Sequence, residues 1–299
     1  MHISIPDLFL ITLVLVDDWY QRKGAHLLSR TVGAKPDFSD SEMLTLRLAI
    51  DFFEFTSERR FVAFIRANYL ALFPKLLDQS QYNRRARSLR YLLNTLRKDW
   101  TTELGGQFER HFLLDTTPVI AVGYRRDKSH SDFRGSADYG YCSARRLKYF
   151  GYKLVMLTTL DGTPYAFELV PANTDERDAA DEILDTLPPD SNAWSDKGFI
   201  GEEWQANWSR QGVHVWTTKR ANQKIQNPPE FDHLLNSVRE RIEGAFDILK
   251  EGGRSVEHTL AHTVGGLCTR IVGKIASVTL RLFLRRFFGI DILTYTVSA

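Results

Sequence analysis

The strongest constraint on this chain is a change of hydrophobic period after Trp100. Apolar residues stop recurring every three or four positions and arrive instead in short runs rich in β-formers. "HFLLDTTPVIAV" (111–122) reads as a strand, and "YFGYKLVMLTTL" with "PYAFELVP", parted by Asp161-Gly162-Thr163, reads as a hairpin. A helix "DERDAADEILDTL" follows, stopped by Pro188 and Pro189. "NAWSDKGF" is a short strand and turn, "GEEWQANWSRQG" a helix, "VHVWTTK" a strand, and a last helix ends in "VRERIEGAFDILKEGG". Three antiparallel strands followed by crossovers imply one mixed sheet with helices against its faces, an α/β fold.

Helices are expected on both sides of that domain. "FSDSEMLTLRLAIDFF" opens with Ser39 and Glu42 at capping-box spacing. Further starts are expected at Thr56 or Ser57, and at Ser80 ahead of "QYNRRARSLRYLLNTLRKDW". After Gly252 the chain is again helical, with Lys274, Arg281, Arg285 and Arg286 too frequent for a membrane span. The run "LFLITLVLV" (8–16) has no basic segment before it and is too short for a bilayer, so a buried first helix is expected. Cys142 and Cys268 form no metal-binding or disulfide pattern, which suits a reducing cytoplasm. The expected divisions are a helical region at 1–100, an α/β domain at 111–251 and a helical tail at 252–299.

Charge is segregated although the net value is only +2. Ser80 to Lys98 holds six bases and no acid, and in a helix Arg84, Arg87, Arg90, Arg97 and Lys98 would oppose a leucine face, with Arg85 out of place. Such a helix can contact nucleic-acid phosphates or form the solvated side of a bundle. Asp175 to Glu203 holds ten acids against Arg177 and Lys197, suggesting a surface turned away from a polyanion. The basic, aromatic stretch 121–150 suits DNA backbone contact and base stacking, or a packed surface connection. Lys219, Arg220 and Lys224 in "TTKRANQK" are further phosphate-contact candidates.

Three carboxylates stand at informative places. Asp115 interrupts the first apolar strand, Asp196 ends a central strand before Lys197-Gly198, and Glu243 lies on the last helix of the domain. At about 100° per residue, Arg239, Glu243 and Lys250 share one narrow helical rim beside an apolar stripe of Val238, Ile242, Phe246 and Leu249. A surface pair at i, i+4 accounts for part of that rim. Convergent acids repel one another unless a cation lies among them, and a hard divalent ion meets that need with carboxylates, waters and phosphate oxygens. "HTLAH" (258–262) lacks the glutamate and further ligands of a zinc site.

Asp115 in "LLDTTPV", Asp196 in "SDKGF" and Glu243 in Arg-x3-Glu-x6-Lys resemble the triad of DDE transposases from bacterial insertion sequences. "FGYKLVMLTTLDGTPYAFELVPAN" and "TTKRANQK" look like the middle section of the same family, and the resemblance covers roughly 111–251. The family's tyrosine position is Asn236 in this chain. The resemblance implies an RNase H-like core and catalytic, metal-holding roles for Asp115, Asp196 and Glu243. It also implies Mg²⁺ or Mn²⁺ as cofactor, transposon terminal repeats and target DNA as partners, and a homodimer in the DNA complex. The implied reaction cuts at transposon ends and joins the 3′-hydroxyl to target DNA. A nuclease of the same core without strand transfer, and a DNA-binding regulator with structural acids, are the alternatives.

Overall fold

The computed structural model describes residues 3–28, 36–143, 145–219, 226–250, 255–257, 260–292 and 294–295, without the side chains of Arg239, Ile242, Glu243 and Ala245. The elements are α1 Ile5–Arg22, α2 Asp40–Ala49, α3 Glu58–Asn68, α4 Gln79–Ser88, α5 Arg90–Glu103, β1 His111–Val122, β2 Asp138–Cys142, β3 Leu147–Thr159, β4 Pro164–Pro171, α6 Glu176–Leu184, β5 Ser191–Ser195, α7 Glu202–Arg210, β6 Val213–Thr217, α8 Pro229–Lys250 and α9 Val264–Phe288. They form two compact units, Met1–Trp100 with Glu251–Ala299, and Thr101–Lys250.

In the first unit, local signals start the helices. Ser39 and Glu42 cap α2 reciprocally, and the Ser57 hydroxyl accepts from the Arg60 N–H at the start of α3. The single helix expected from Ser80 is two. The Asp78 carboxylate accepts from the Gln81 N–H (2.8 Å) and Gln81 Oε1 accepts from the Asp78 N–H (3.3 Å), so the capping pair lies just upstream of Ser80. Leu89 then leaves helical geometry at φ −91°, ψ 5°, separating α4 from α5. The break changes the basic face: Arg97 is buried, and Arg85 forms an ion pair with buried Asp40, so neither belongs to an open cationic surface. Helix α1 is buried along one side only, through Leu8, Phe9 and Val16, while Leu10 and Val14 are more than half exposed at 56% and 51%.

Helix α9 receives a buried charge of α2. The Arg47 guanidinium of α2 donates to the Thr269 and Arg270 carbonyls and pairs with Asp51 at 3.5 Å. Gly273 makes room for it: a Cβ there would stand 2.1 Å from Arg47 Nη2. Among the described residues no helix is long and apolar enough to cross a membrane.

The second unit is the mixed sheet the element order requires, in the spatial order β2-β3-β1-β5-β6, with β4 also on β3. β1 runs antiparallel to β3 and parallel to β5, and β6 is parallel to β5. β2 and β4 share the other edge of β3, β2 along its first part and β4 along the rest. The Asp161-Gly162-Thr163 turn closes the β3–β4 hairpin. Gly162 takes φ 85° there, a left-handed conformation that suits glycine. The sequence placed β2 within a loop. Its alternating exposed and half-buried residues include too few apolar positions to read as a strand.

Strand alternation fixes the two faces. Phe112 and Leu114 of β1, Ala193 of β5 and Val213 and Val215 of β6 pack with Ala180, Ile183 and Leu184 of α6 and Trp208 of α7. Asp181 ties those helices together by accepting from the indole N–H groups of Trp204 (2.8 Å) and Trp208 (2.9 Å). The opposite face carries Trp194 and Trp216, whose rings meet Phe231 of α8. Phe246 and Leu249 are buried on α8, as the apolar stripe requires. The unit is a mixed α/β sheet flanked by helices on both faces.

Candidate active site

The β1–β5 register brings two of the sequence candidates together. Leu113 is opposite Trp194 and Leu114 opposite Ser195, so the next step along both strands sets Asp115 beside Asp196. Phe112 and Leu114 face α6 and α7. Asp115 therefore lies on the other face of the sheet, the one that carries α8. Asp115 Oδ1 accepts from the Thr116 N–H (2.7 Å), and Asp196 Oδ1 accepts from the Gly198 N–H (2.8 Å) in the turn after β5.

Both aspartates line a cleft of about 250 Å³ shared with Glu176, Lys153, Arg145 and Lys250. Burial, and then the charge of Asp196, push the Asp115 carboxyl up to about 7, against the opposing pull of the Thr116 N–H and Lys250. Without a cation this group therefore carries a proton much of the time near neutral pH. Burial also raises the pKa of Glu176, and Lys153 opposes that rise. The Tyr149 hydroxyl in the cleft wall is pushed up to about 12, chiefly by burial, and is fully protonated at neutral pH.

The remaining candidates divide as follows. Lys250, the last residue of α8, reaches the cleft and contacts Asp247 (3.2 Å). Glu243 and Arg239 stand on α8, their side chains outside the described ones. Lys219 is half-buried just after β6, while Arg220 and Lys224 lie outside the described residues. Arg84 and Arg87 are exposed on α4, and Arg90, half-buried, opens α5, all in the first unit.

The aromatic stretch is only partly available for stacking. Phe133, Tyr149 and Phe150 are buried, whereas Tyr124, Tyr139 and Tyr141 are exposed. Lys128 lies 5.1 Å from the Tyr139 ring centre, which gives that segment an internal cation–π contact.

Sequence reasoning missed Glu176. It belongs to the acidic run read as facing away from a polyanion, yet it opens α6 inside the cleft and accepts from Thr116 Oγ1 (3.1 Å). The signal that could have found it is its place directly after Asp175, the N-cap of α6, the helix that follows β4 and covers the sheet beside β1 and β5.

Among the described residues no group of three or more His, Cys, Asp or Glu side chains is gathered as a metal site. The adjacent Asp115 and Asp196 nevertheless supply hard oxygen donors whose mutual repulsion a divalent cation would relieve, and this donor chemistry fits such an ion.

A family model described as "Transposase DDE domain" matches residues 105–264. No curated protein sequence matches. Among solved structures, the piggyBac transposase synaptic complex with hairpin DNA is similar at a TM-score of 0.45 and 11% identity, over 95% of this chain and 75% of that one. The Mos1 strand transfer complex is similar at 0.24 and 13% identity, over 91% and 87%. The Mos1 paired-end complex with left transposon end gives 0.21 and 11%, over 82% and 88%.

Proposed function

From the premise that this chain belongs to the transposase DDE domain family and is a DNA transposase, we propose that the Asp115–Asp196 cleft is where it cuts DNA at transposon ends and joins the freed 3′-hydroxyl to target DNA. The observation that carries this reading is the placement of the two aspartates side by side where β5 ends against β1, with Lys250 beside them. Asp115, Asp196 and Glu243 would hold Mg²⁺ or Mn²⁺, Glu243 being supplied from α8, the helix that also brings Lys250 to the cleft. A divalent ion bound there supplies a more acidic attacking water or hydroxyl and a stabilised leaving oxygen.

The chain's own groups do the rest. The Gly198 N–H fixes one Asp196 oxygen, and the Thr116 N–H fixes one Asp115 oxygen, so both carboxylates present a set orientation to the cleft. Lys250 and Arg145 place positive charge at the cleft for a phosphodiester. Arg239, Lys219, Arg220 and Lys224 are further phosphate contacts in this reading, and Arg84, Arg87 and Arg90 of the first unit bind the DNA backbone. The DNA partners are the transposon terminal repeats and the target, and the working complex is a homodimer in the cytoplasm.

The test uses a supercoiled plasmid that carries the gene with its native flanking DNA, incubated with the protein and Mg²⁺ or Mn²⁺. Asp115→Asn, Asp196→Asn and Glu243→Gln should each lower cleavage and strand transfer at least about a hundredfold while DNA affinity is kept. Near-normal activity in any one of the three would remove that residue from the site. Cut products without joined ones would make the protein a nuclease of the same core.

A further inference from the structure

Glu176 touches a neighbour of each aspartate. Its Oε1 accepts from Thr116 Oγ1 (3.1 Å), one residue beyond Asp115. Its Oε2 fills the space over Gly198, where a Cβ would stand only 1.7 Å away, and the Gly198 N–H is the group that holds Asp196. This explains the glycine in "SDKGF": the position is occupied by a carboxylate arriving from α6. Glu176 is largely removed from water, and its charge opposes both aspartates across the cleft. Lys153, whose ammonium donates to the Thr174 carbonyl (2.8 Å), balances that charge in part.

We propose that Glu176 is a positioning residue for the transposition reaction: it holds fixed negative charge behind Asp115 and Asp196 and so strengthens the grip of the aspartate pair on a divalent cation. The inference rests on the reading that those aspartates hold the ion. A fixed anion a few ångströms from a divalent cation in a partly dry cleft is attractive enough to change affinity by about tenfold, even with generous screening. The contacts to Thr116 and Gly198 keep that charge from swinging into solvent.

The experiment measures Mn²⁺ binding to the full chain without DNA, from the free-ion signal in electron paramagnetic resonance, together with the Mn²⁺ dependence of plasmid cleavage. Glu176→Gln keeps an acceptor for Thr116 and removes the charge. It should weaken Mn²⁺ binding about tenfold and raise the half-saturating Mn²⁺ concentration by a similar factor, with the loss concentrated there and not in the saturated rate. Gly198→Ala keeps the charge but pushes the carboxylate away, and should weaken binding as well. Mn²⁺ affinity within twofold of wild type in both variants, a fall confined to the saturated rate, or failure of both to fold by circular dichroism would overturn the proposal. Asp115→Asn is the separating arm. If it too binds Mn²⁺ like wild type, the aspartate-pair reading has failed; if it loses the ion while Glu176→Gln keeps it, only the role of Glu176 has.

Discussion

Replacing Asp115 by Asn should make the metal-free protein more stable, by an amount that grows as pH rises from about 4 to about 7. The carboxyl rises from 3.8 to about 7 because folding removes it from water and sets it beside Asp196. At roughly 1.4 kcal/mol for each tenfold change in proton affinity, that rise corresponds to about 4 kcal/mol. Part of the side chain stays open to the cleft, so we take about half, ~2 kcal/mol, as the cost in solution. An acid whose pKa is higher folded than unfolded binds its proton more tightly in the native state. The cost is therefore absent below pH 3.8, grows as pH rises, and is complete above about 7. Asn keeps the size and an oxygen for the Thr116 N–H and carries no charge. Urea denaturation in chelator, followed by fluorescence of Trp194, Trp204, Trp208 and Trp216 in the same unit, should show the variant about 2 kcal/mol more stable at pH 8 and equal to wild type near pH 4. Saturating Mn²⁺ should then stabilise wild type and leave the variant unmoved. A variant no more stable than wild type at pH 8, or a gain that does not change with pH, would refute the electrostatic account of the site.

Two other outcomes concern the first unit. Gly273→Ala would drive a methyl into the buried Arg47 guanidinium, 2.1 Å from Nη2, and disturb its carbonyl contacts and its pairing with Asp51. A loss of about 2–4 kcal/mol in urea denaturation is expected, and a loss under about 0.5 kcal/mol would mean that Arg47 moves aside freely. Removing the charges of Arg87 and Arg90 should lower DNA affinity and flatten its dependence on salt, by about one log unit per log of salt for each phosphate left unneutralised, read by fluorescence anisotropy. An unchanged slope would return these arginines to an ordinary solvated surface.

The sequence by itself determined the order of the sheet's elements apart from β2, and with it most of the sheet. Period-2 runs, a Gly-containing hairpin turn and amphipathic helices are local properties, and a parallel crossover can return to its sheet in few ways. The capping residues Ser39, Glu42 and Ser57 were legible for the same reason, because a helix start depends on a hydrogen bond across three residues. Asp115 and Asp196 were legible because an acid in an apolar strand, and another at a strand end before a glycine, conflict with their local surroundings.

Tertiary structure alone decided which charges are exposed and which meet. Helical spacing sets Arg97 on the basic face, yet packing buries it, and Arg85, already off that face by the same spacing, pairs with Asp40. Glu176 lies 61 positions after Asp115 in an acidic run that looks like a solvated helix start, and only the approach of α6 to the middle of β1 and the end of β5 brings it to the aspartates. The physical reason is one of range: backbone conformation is set by neighbours a few residues apart, whereas the electrostatic character of a side chain is set by whatever the fold places within several ångströms of it, however distant in the chain.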